Sequence, residues 1–476
     1  MLPMSGERLA QGSGAAILQT GRPKIFLHAG SDTRQITPGS VFFALQGAKA
    51  AGESYFGEAL KKKAGALVGR SFSAAQRRQA KRQGAWLLKA GDGLRALQSL
   101  AVDQRRLFTG PVLAVTGSNG KTGAKDLLAH LLGTEAAGLS TQGNFNNHVG
   151  LPLTLLRLAP EDRWMVLELG MNHRGELLQL GRWARPTLAV ELNVGDAHLG
   201  YFGSRRGVAG AKEELLQAMG PAGIAVLNGD DALVRDMGRR FRGRQALFGQ
   251  SAGCHLRLSQ IKDHGARGLE GRAQWSAPFG GRAQGLRFQL RQGGKARLVQ
   301  AGAALAAGFS LGLRAERMAA GLRSWQPVAK MRQELKPLLQ GTAILDAYNA
   351  SPQSMQAGLE FLAASAPRGQ RTAVLGCMLE LGDGAPALHR ALGRQARKSG
   401  LRCVAALGEQ AQEIVRGFGG EAAAFRKEEA AEAAAWMAAR LKKGDWTLFK
   451  GSRGIAVERV YESMRAGRPH LHDKGD

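Results

Sequence analysis

The richest chemistry in this 476-residue chain lies in six consecutive residues, Gly117, Ser118, Asn119, Gly120, Lys121 and Thr122. Glycines there let backbone N–H groups converge on phosphate oxygens, and a following helix N-terminus adds partial positive charge. Lys121 has the reach for β- and γ-phosphates, and the Thr122 hydroxyl can ligate Mg²⁺. The general phosphate-loop pattern wants a glycine five residues before Gly120, where this chain has Val115. The match to that pattern is therefore incomplete. The segment still reads as an ATP-binding loop, because the apolar run Val112–Thr116 precedes it and a helical stretch, 124–132, follows it.

Other polar groups end apolar runs in the same manner. Glu168 closes Met165–Leu169, and a carboxylate there is costly unless it is paired or binds a metal, which makes it a Mg²⁺ candidate. The segment 141–152 is dense in amides, among them Asn146 and Asn147, and suits a polar loop that holds a ligand; on these residues alone a capped turn is the better reading. His198 follows Leu192–Val194, and Lys212 sits in a helical stretch. By themselves they read as a loop histidine and a surface lysine. Asp346 and Asn349 end another apolar run, with Arg332 upstream, where an arginine from a separate domain could reach a nucleotide. Lys450, Ser452 and Arg453 end the last apolar run and suit an anionic substrate group, a plain basic loop being the alternative.

The elements that must hold these residues alternate. Apolar runs at 111–116, 165–169, 188–194, 224–228, 342–348, 372–376, 403–408 and 446–450 are separated by helical stretches. Short continuous apolar runs between helices predict strands buried on both faces, in mostly parallel sheets of doubly wound α/β type. Residues from about 243 to 300 are rich in Gly, Arg and Gln and predict antiparallel strands and turns, with a helix over 301–312. The expected division is three domains, at about 1–108, 109–327 and 328–476.

Composition narrows the class. The net charge is +28, from 66 basic and 38 acidic residues, but the basic residues are spread along the chain with no basic tail. A general basic bias, or a preference for small anionic substrates, is expected rather than a nucleic-acid partner. No apolar run reaches the ~20 residues of a membrane span, and the N-terminal segment lacks the pattern of a secretory signal, so a cytoplasmic location is expected. Cys254, Cys377 and Cys403 are far apart and fit no metal spacing.

In order, these segments resemble the Mur ligase family. The resemblance is carried by residues 116–122, 143–152, 346–352, 375–382 and 450–453, with weaker likeness at Asp32-Thr33-Arg34, 38–39 and 43–47. It implies an N-terminal UDP-substrate domain, a central ATPase-like domain and a C-terminal Rossmann-like domain. It implies an ATP-dependent ligase that adds D-alanyl-D-alanine to UDP-N-acetylmuramoyl-tripeptide through an acyl phosphate, acting as a monomer. A sibling ligase with another amino acid or acceptor, or a degenerate binding protein, are the alternatives. By the same resemblance Thr122, Glu168, His198 and a CO₂-carbamylated Lys212 would hold Mg²⁺, and Arg332 and Asp346 would contact nucleotide. Lys121, Lys212 and His198 would be catalytic. Asp32, Thr33, Arg34, Asn146, Asn147, Asn349, Lys450, Ser452 and Arg453 would face the other substrates. Three segments depart from the family pattern: Ala303 stands where an adenine-reading asparagine is expected, Cys377 where an aspartate is, and Ala51-Gly52-Glu53 replaces an Asp-Gly-His segment.

Overall fold

The computed structural model describes residues 1–47, 50–196 and 199–466. His198, an expected metal ligand, lies outside them. The chain forms two compact units, each described by itself.

One unit takes Met1–Thr116, Leu132–Ala189 and Glu214–Gly223. Its first sheet holds β1 (Ala16–Gln19), β2 (Ala29–Gly30), β3 (Val41–Phe43), β4 (Ala66–Gly69) and β5 (Trp86–Lys89), in the order β1-β5-β4-β3-β2. Only β1 runs antiparallel to its neighbour. Phe42 and Phe56 fill the core beneath it, and the Phe56 ring stacks on Phe72 with centroids 4.9 Å apart. A second set of strands is β6 (Val112–Thr116), β7 (Leu139–Ser140) and β8 (Met165–Glu168). β8 pairs in parallel with both others, with Val115 opposite Glu168. Every residue of β6 and β8 is buried, as continuous apolar runs require.

The other unit takes Gly117–Leu131, Val190–Glu213 and Ile224–Asp476. It begins with the glycine loop and most of helix α1 (Lys121–Gly133). β9 (Leu188–Glu191) falls at the division between the units and ends three residues sooner than its apolar run suggests. Helix α2 (Arg205–Met219) follows. β10 (Ile224–Asn228), β11 (Arg244–Gly249) and β12 (Leu256–Asp263) pair in parallel, and only then do β13 (Leu269–Trp275) and β14 (Gln284–Leu290) continue antiparallel. Helix α3 spans Lys295–Ser310 and so starts six residues before the helix expected over 301–312. Gly293 and Gly294 end the preceding segment, and Lys295, Arg297 and Gln300 form the polar first turns of α3 rather than a loop.

The C-terminal part of this unit is a six-stranded sheet. Its strands are β15 (Glu334–Leu338), β16 (Gly341–Leu345), β17 (Arg371–Gly376), β18 (Cys403–Leu407), β19 (Glu421–Phe425) and β20 (Trp446–Lys450). The order is β15-β16-β20-β17-β18-β19, parallel except for the edge strand β15. Helix α4 (Pro352–Ser365) leads out of β16, with Ser351 as its N-cap and Pro352 in its first turn. Successive strand residues enter opposite cores. Ile344, Leu375, Val404 and Leu448 pack under Leu359 and Leu392, while Ala343, Val374, Ala405 and Phe449 pack under Met437 and Val460. That alternation gives a doubly wound sheet covered on both faces.

His389 is buried in the helix behind β17. Its Nε2 accepts the Met378 N–H at 2.9 Å, so Nδ1 carries the proton donated to the Ala385 carbonyl at 2.7 Å. Burial holds its pKa below the ordinary 6.5. The folded chain therefore binds fewer protons here than the unfolded chain. The stability this supplies is present above pH ~6.5 and is lost as pH falls towards the folded pKa. The melting-temperature advantage of the wild type over His389→Gln should shrink between pH 7.5 and 5.5. A gap that stays constant across that range would contradict the assignment.

A candidate nucleotide site

The loop leaves β6 at Gly117 and turns at Gly120, whose φ of 87° is in the left-handed region that glycine tolerates best. Its shape is held from outside. The Asn119 N–H donates to the Asn193 Oδ1 at 2.9 Å, and Asn193 Nδ2 donates to the Asn119 carbonyl at 3.0 Å. The Ser118 N–H donates to the Asn193 carbonyl at 3.0 Å, and the Gly195 N–H donates to Ser118 Oγ at 2.8 Å. The segment after β9 thus clamps the loop along its length. That segment is itself pinned by the Asn228 amide on the Leu192 carbonyl and by Asp231 on the Val194 N–H.

Lys121 begins α1 and curls back, its Nζ 2.7 Å from the Gly117 carbonyl. That places an ammonium over the loop, where phosphate oxygens would lie. Thr122, 5% exposed, has a buried hydroxyl with no hydrogen-bond partner. A buried orphan oxygen beside a phosphate loop fits the hard-donor chemistry of Mg²⁺.

Lys212 is not the surface lysine its residues alone suggest. It is 3% exposed on α2. Burial first, and then the nearby Lys121, push its pKa down to about 7. Glu191, at the end of β9, is fully buried, with neither carboxylate oxygen hydrogen-bonded. Burial drives its pKa up to about 8 against the pull of Lys212. The charge on each favours the charged form of the other, while burial opposes both. Glu191 was hidden within an apolar run, and a carboxylate in such a run was the available signal.

The same unit gathers the C-terminal candidates. Lys450 is buried, with Nζ 2.8 Å from Asp346 Oδ2 and 3.2 Å from the Asn349 carbonyl. Arg332 stacks over the Tyr348 ring at 4.0 Å. Ser452 Oγ accepts the Leu379 N–H at 3.0 Å, and Arg453 donates to Met331 Sδ at 3.2 Å. Asp196 is tied to Gln353, the second residue of α4, through its N–H at 3.0 Å and through a side-chain hydrogen bond. Ala303 is fully buried in α3, while Gln300, one turn earlier, reaches the Gly120 carbonyl at 3.3 Å. The polar side chain on this helix that meets the loop is thus a glutamine at 300. Cys377 is buried, and its sulfur accepts the Gln410 N–H.

The first unit holds the remaining candidates. Glu168 Oε1 accepts from Asn146 Nδ2 at 2.8 Å, and its buried Oε2 has no partner. Asn147 Oδ1 caps the following helix by accepting from Val149 and Gly150, which is the capped-turn role. Asp32 accepts from the Arg34 backbone and guanidinium, and that bond holds its pKa down. The carbonyl of buried Thr33 accepts from Lys62 Nζ. Among the described residues no three His, Cys, Asp or Glu side chains converge on one point, and no helix is long and apolar enough to cross a membrane.

Comparison with known proteins decides the family. Residues 115–284 match the Mur ligase middle domain, and residues 331–453 match the Mur ligase glutamate ligase domain. UDP-N-acetylmuramoyl-tripeptide–D-alanyl-D-alanine ligase of Bacillus subtilis is 32% identical over 441 residues, covering 91% of this chain and 92% of its own. The chain belongs to the Mur ligase family. Among solved members of this family, MurF from Acinetobacter baumannii is similar with a TM-score of 0.85 and 27% identity, covering 97% of this chain and 99% of its own. MurF from Thermotoga maritima, solved in complex with ADP, is similar with a TM-score of 0.78 and 27% identity, covering 92% and 97%.

The Asn193 clamp makes a direct prediction. Asn193→Ala removes two side-chain hydrogen bonds to the loop, about 1 kcal/mol each. The KM for ATP should rise roughly 10- to 30-fold, with a change in melting temperature of only a few degrees. An unchanged KM would mean that the loop keeps its shape without the clamp.

Proposed function

We infer that this chain is an ATP-dependent amide ligase that adds D-alanyl-D-alanine to UDP-N-acetylmuramoyl-tripeptide in peptidoglycan precursor synthesis. The observation that carries the reading is the clamped phosphate loop with Lys121 curled over it and Lys212 buried close by, in a chain similar along nearly its whole length to ligases of that name. A carboxylate is a poor electrophile. Transfer of the γ-phosphoryl group of ATP to the tripeptide carboxylate supplies a leaving group. The amine of D-alanyl-D-alanine attacks the acyl carbon, loses a proton, and the tetrahedral intermediate expels phosphate to leave the amide. Positioning and neutralising phosphoryl oxygens is most of the work in such a transfer, and the loop N–H groups and Lys121 are suited to it.

The residue roles are part of the proposal. Mg²⁺ would be held by Thr122 and Glu168, with His198 and modified Lys212 completing the set, and when bound it neutralises charge on phosphoryl oxygens. The orphan oxygens of Thr122 and Glu168 support the first two assignments. Carbamylation of Lys212 requires a neutral amine, which adds CO₂ and releases a proton. Burial favours that neutral amine, which makes this lysine suited to the modification. Arg332 and Asp346 would meet the nucleotide. Asp32, Thr33, Arg34, Asn146, Asn147, Asn349, Lys450, Ser452 and Arg453 would serve the other substrates. Three functional domains at about 1–108, 109–327 and 328–476, a monomer and a cytoplasmic location belong to the same reading.

Phosphate release from ATP should require UDP-N-acetylmuramoyl-tripeptide and D-alanyl-D-alanine together. Release with a different amine in place of the dipeptide would favour a sibling ligase, and no release with any amine would leave only a binding protein. Lys121→Ala should cut the rate by ~100-fold or more.

Activity in CO₂-depleted buffer should fall and recover on adding bicarbonate, with recovery greater at pH 8 than at pH 6, because the amine is protonated below about 7. Bicarbonate-independent activity would remove the carbamate from the mechanism.

A further inference from the structure

Helix α3 carries two polar residues that neither the motifs nor the ligase mechanism uses. Arg297 is 5% exposed and Gln300 is 4% exposed. Among the described residues no carboxylate lies within ion-pair distance of Arg297. Its guanidinium is satisfied instead by neutral oxygens. It donates to Gln300 Oε1 at 2.8 Å, to Gln292 Oε1 at 3.0 Å and to the Arg332 carbonyl at 3.4 Å. It also lies over the Trp325 ring at 5.2 Å, and its buried Nε has no partner. Asp346 and Asp126 favour its charge only from beyond ion-pair distance. A buried cation without a direct ion pair is expensive, and a methionine would fill the same space at lower cost. Its hydrogen-bond partners give it a positional role.

The two ends of this hydrogen-bond chain define that role. At one end Gln300 Nε2 donates to the Gly120 carbonyl of the phosphate loop. The amide lies so close to the first turn of α1 that a Cβ at Gly123 would sit 2.4 Å from Gln300 Nε2 and 2.6 Å from its Cδ. Gly123 is the space that admits Gln300 to the loop. At the other end the chain holds the backbone at 332–333, through Arg297 on the Arg332 carbonyl and Gln292 Nε2 on the Gln333 carbonyl at 2.6 Å. Met331 and Gln333, with φ of 56° and 55°, both occupy the left-handed region that side chains disfavour. Two strained residues therefore flank Arg332, and buried hydrogen bonds hold that conformation in place.

We propose that Arg297 and Gln300 are positioning residues that join the phosphate loop to the strained 331–333 segment, so that a nucleotide on the loop and the setting of Arg332 are one coupled event. The coupling runs through discrete hydrogen bonds in a buried region, where a shift of the Gly120 carbonyl is passed on through the Gln300 amide and the guanidinium. The proposal rests on the nucleotide reading of the loop, and binding of ADP alone is enough to test it.

The test is calorimetric titration of ADP together with amide hydrogen exchange across 331–334, with and without ADP, in wild type, Arg297→Met and Gln300→Met. Wild type should show slower exchange at 331–334 when ADP binds. Both variants should lose that response and bind ADP several-fold more weakly. The double variant should weaken ADP binding no more than the weaker-binding single variant, because both act through one chain of bonds. Gln300→Met nearly preserves volume, so it carries the test if Arg297→Met fails to fold. Wild-type-like protection in a folded variant, or fully additive losses in the double variant, would overturn the relay. ADP binding to wild type with no response at 331–334 would overturn the relay alone, whereas no ADP binding to wild type would overturn the nucleotide reading along with it.

Discussion

The second unit depends on keeping basic side chains close to one loop and largely out of water. Lys121, Lys212 and Arg297 all belong to it, and two of them are almost sealed from water. Burial first, and then the neighbouring Lys121, disfavour the charged form of Lys212. Such an arrangement is stable only if the surrounding backbone is rigid and the desolvation is offset elsewhere. Here the rigidity comes from the clamp of Asn193 on the loop, the glutamine–arginine chain behind it and the sheet that carries both. The offset comes from the large apolar cores of the sheets. A binding site for a polyphosphate is the expected use of a cationic region assembled this way, since the missing negative charge arrives with the ligand.

Much of this was legible in the sequence. The strands at 224–228 and 446–450 are bounded where their apolar runs are, and the loop between β6 and α1 was evident from glycines, lysine and threonine in a strand–loop–helix setting. These features are local, with spacings of a few residues, so periodicity and turn chemistry report them directly. Glu168 was legible for a similar reason, as a carboxylate at the end of an apolar run.

What was not legible depends on partners distant in the chain. Asn193 was one polar residue inside the apolar run 188–194, and only the fold places its amide against Asn119. Arg297 and Gln300 looked like part of a polar, glycine-rich insertion, because Gly293 and Gly294 precede them and the apolar face of α3 becomes dense only after residue 300. The helix start was therefore expected too late. Lys212 was misjudged in the other direction: flanked by Glu213 and Glu214 it resembles a solvated helix face, and its burial follows from how α2 packs. Composition cannot report which face of a helix is covered until the covering element is known.

The contact between Gly123 and Gln300 constrains how this chain can vary. Neither residue can change freely while the other stays. A Cβ at 123 would meet the end of the Gln300 side chain, so a side chain there requires that amide to move away from the first turn of α1. The two positions are far apart in the chain yet share one small volume. A side chain at 123 therefore acts on the loop through residue 300, by displacing the amide that meets the Gly120 carbonyl. The glycine content of the loop region thus reflects two separate demands, one from backbone conformation at Gly120 and one from a neighbour's bulk at Gly123.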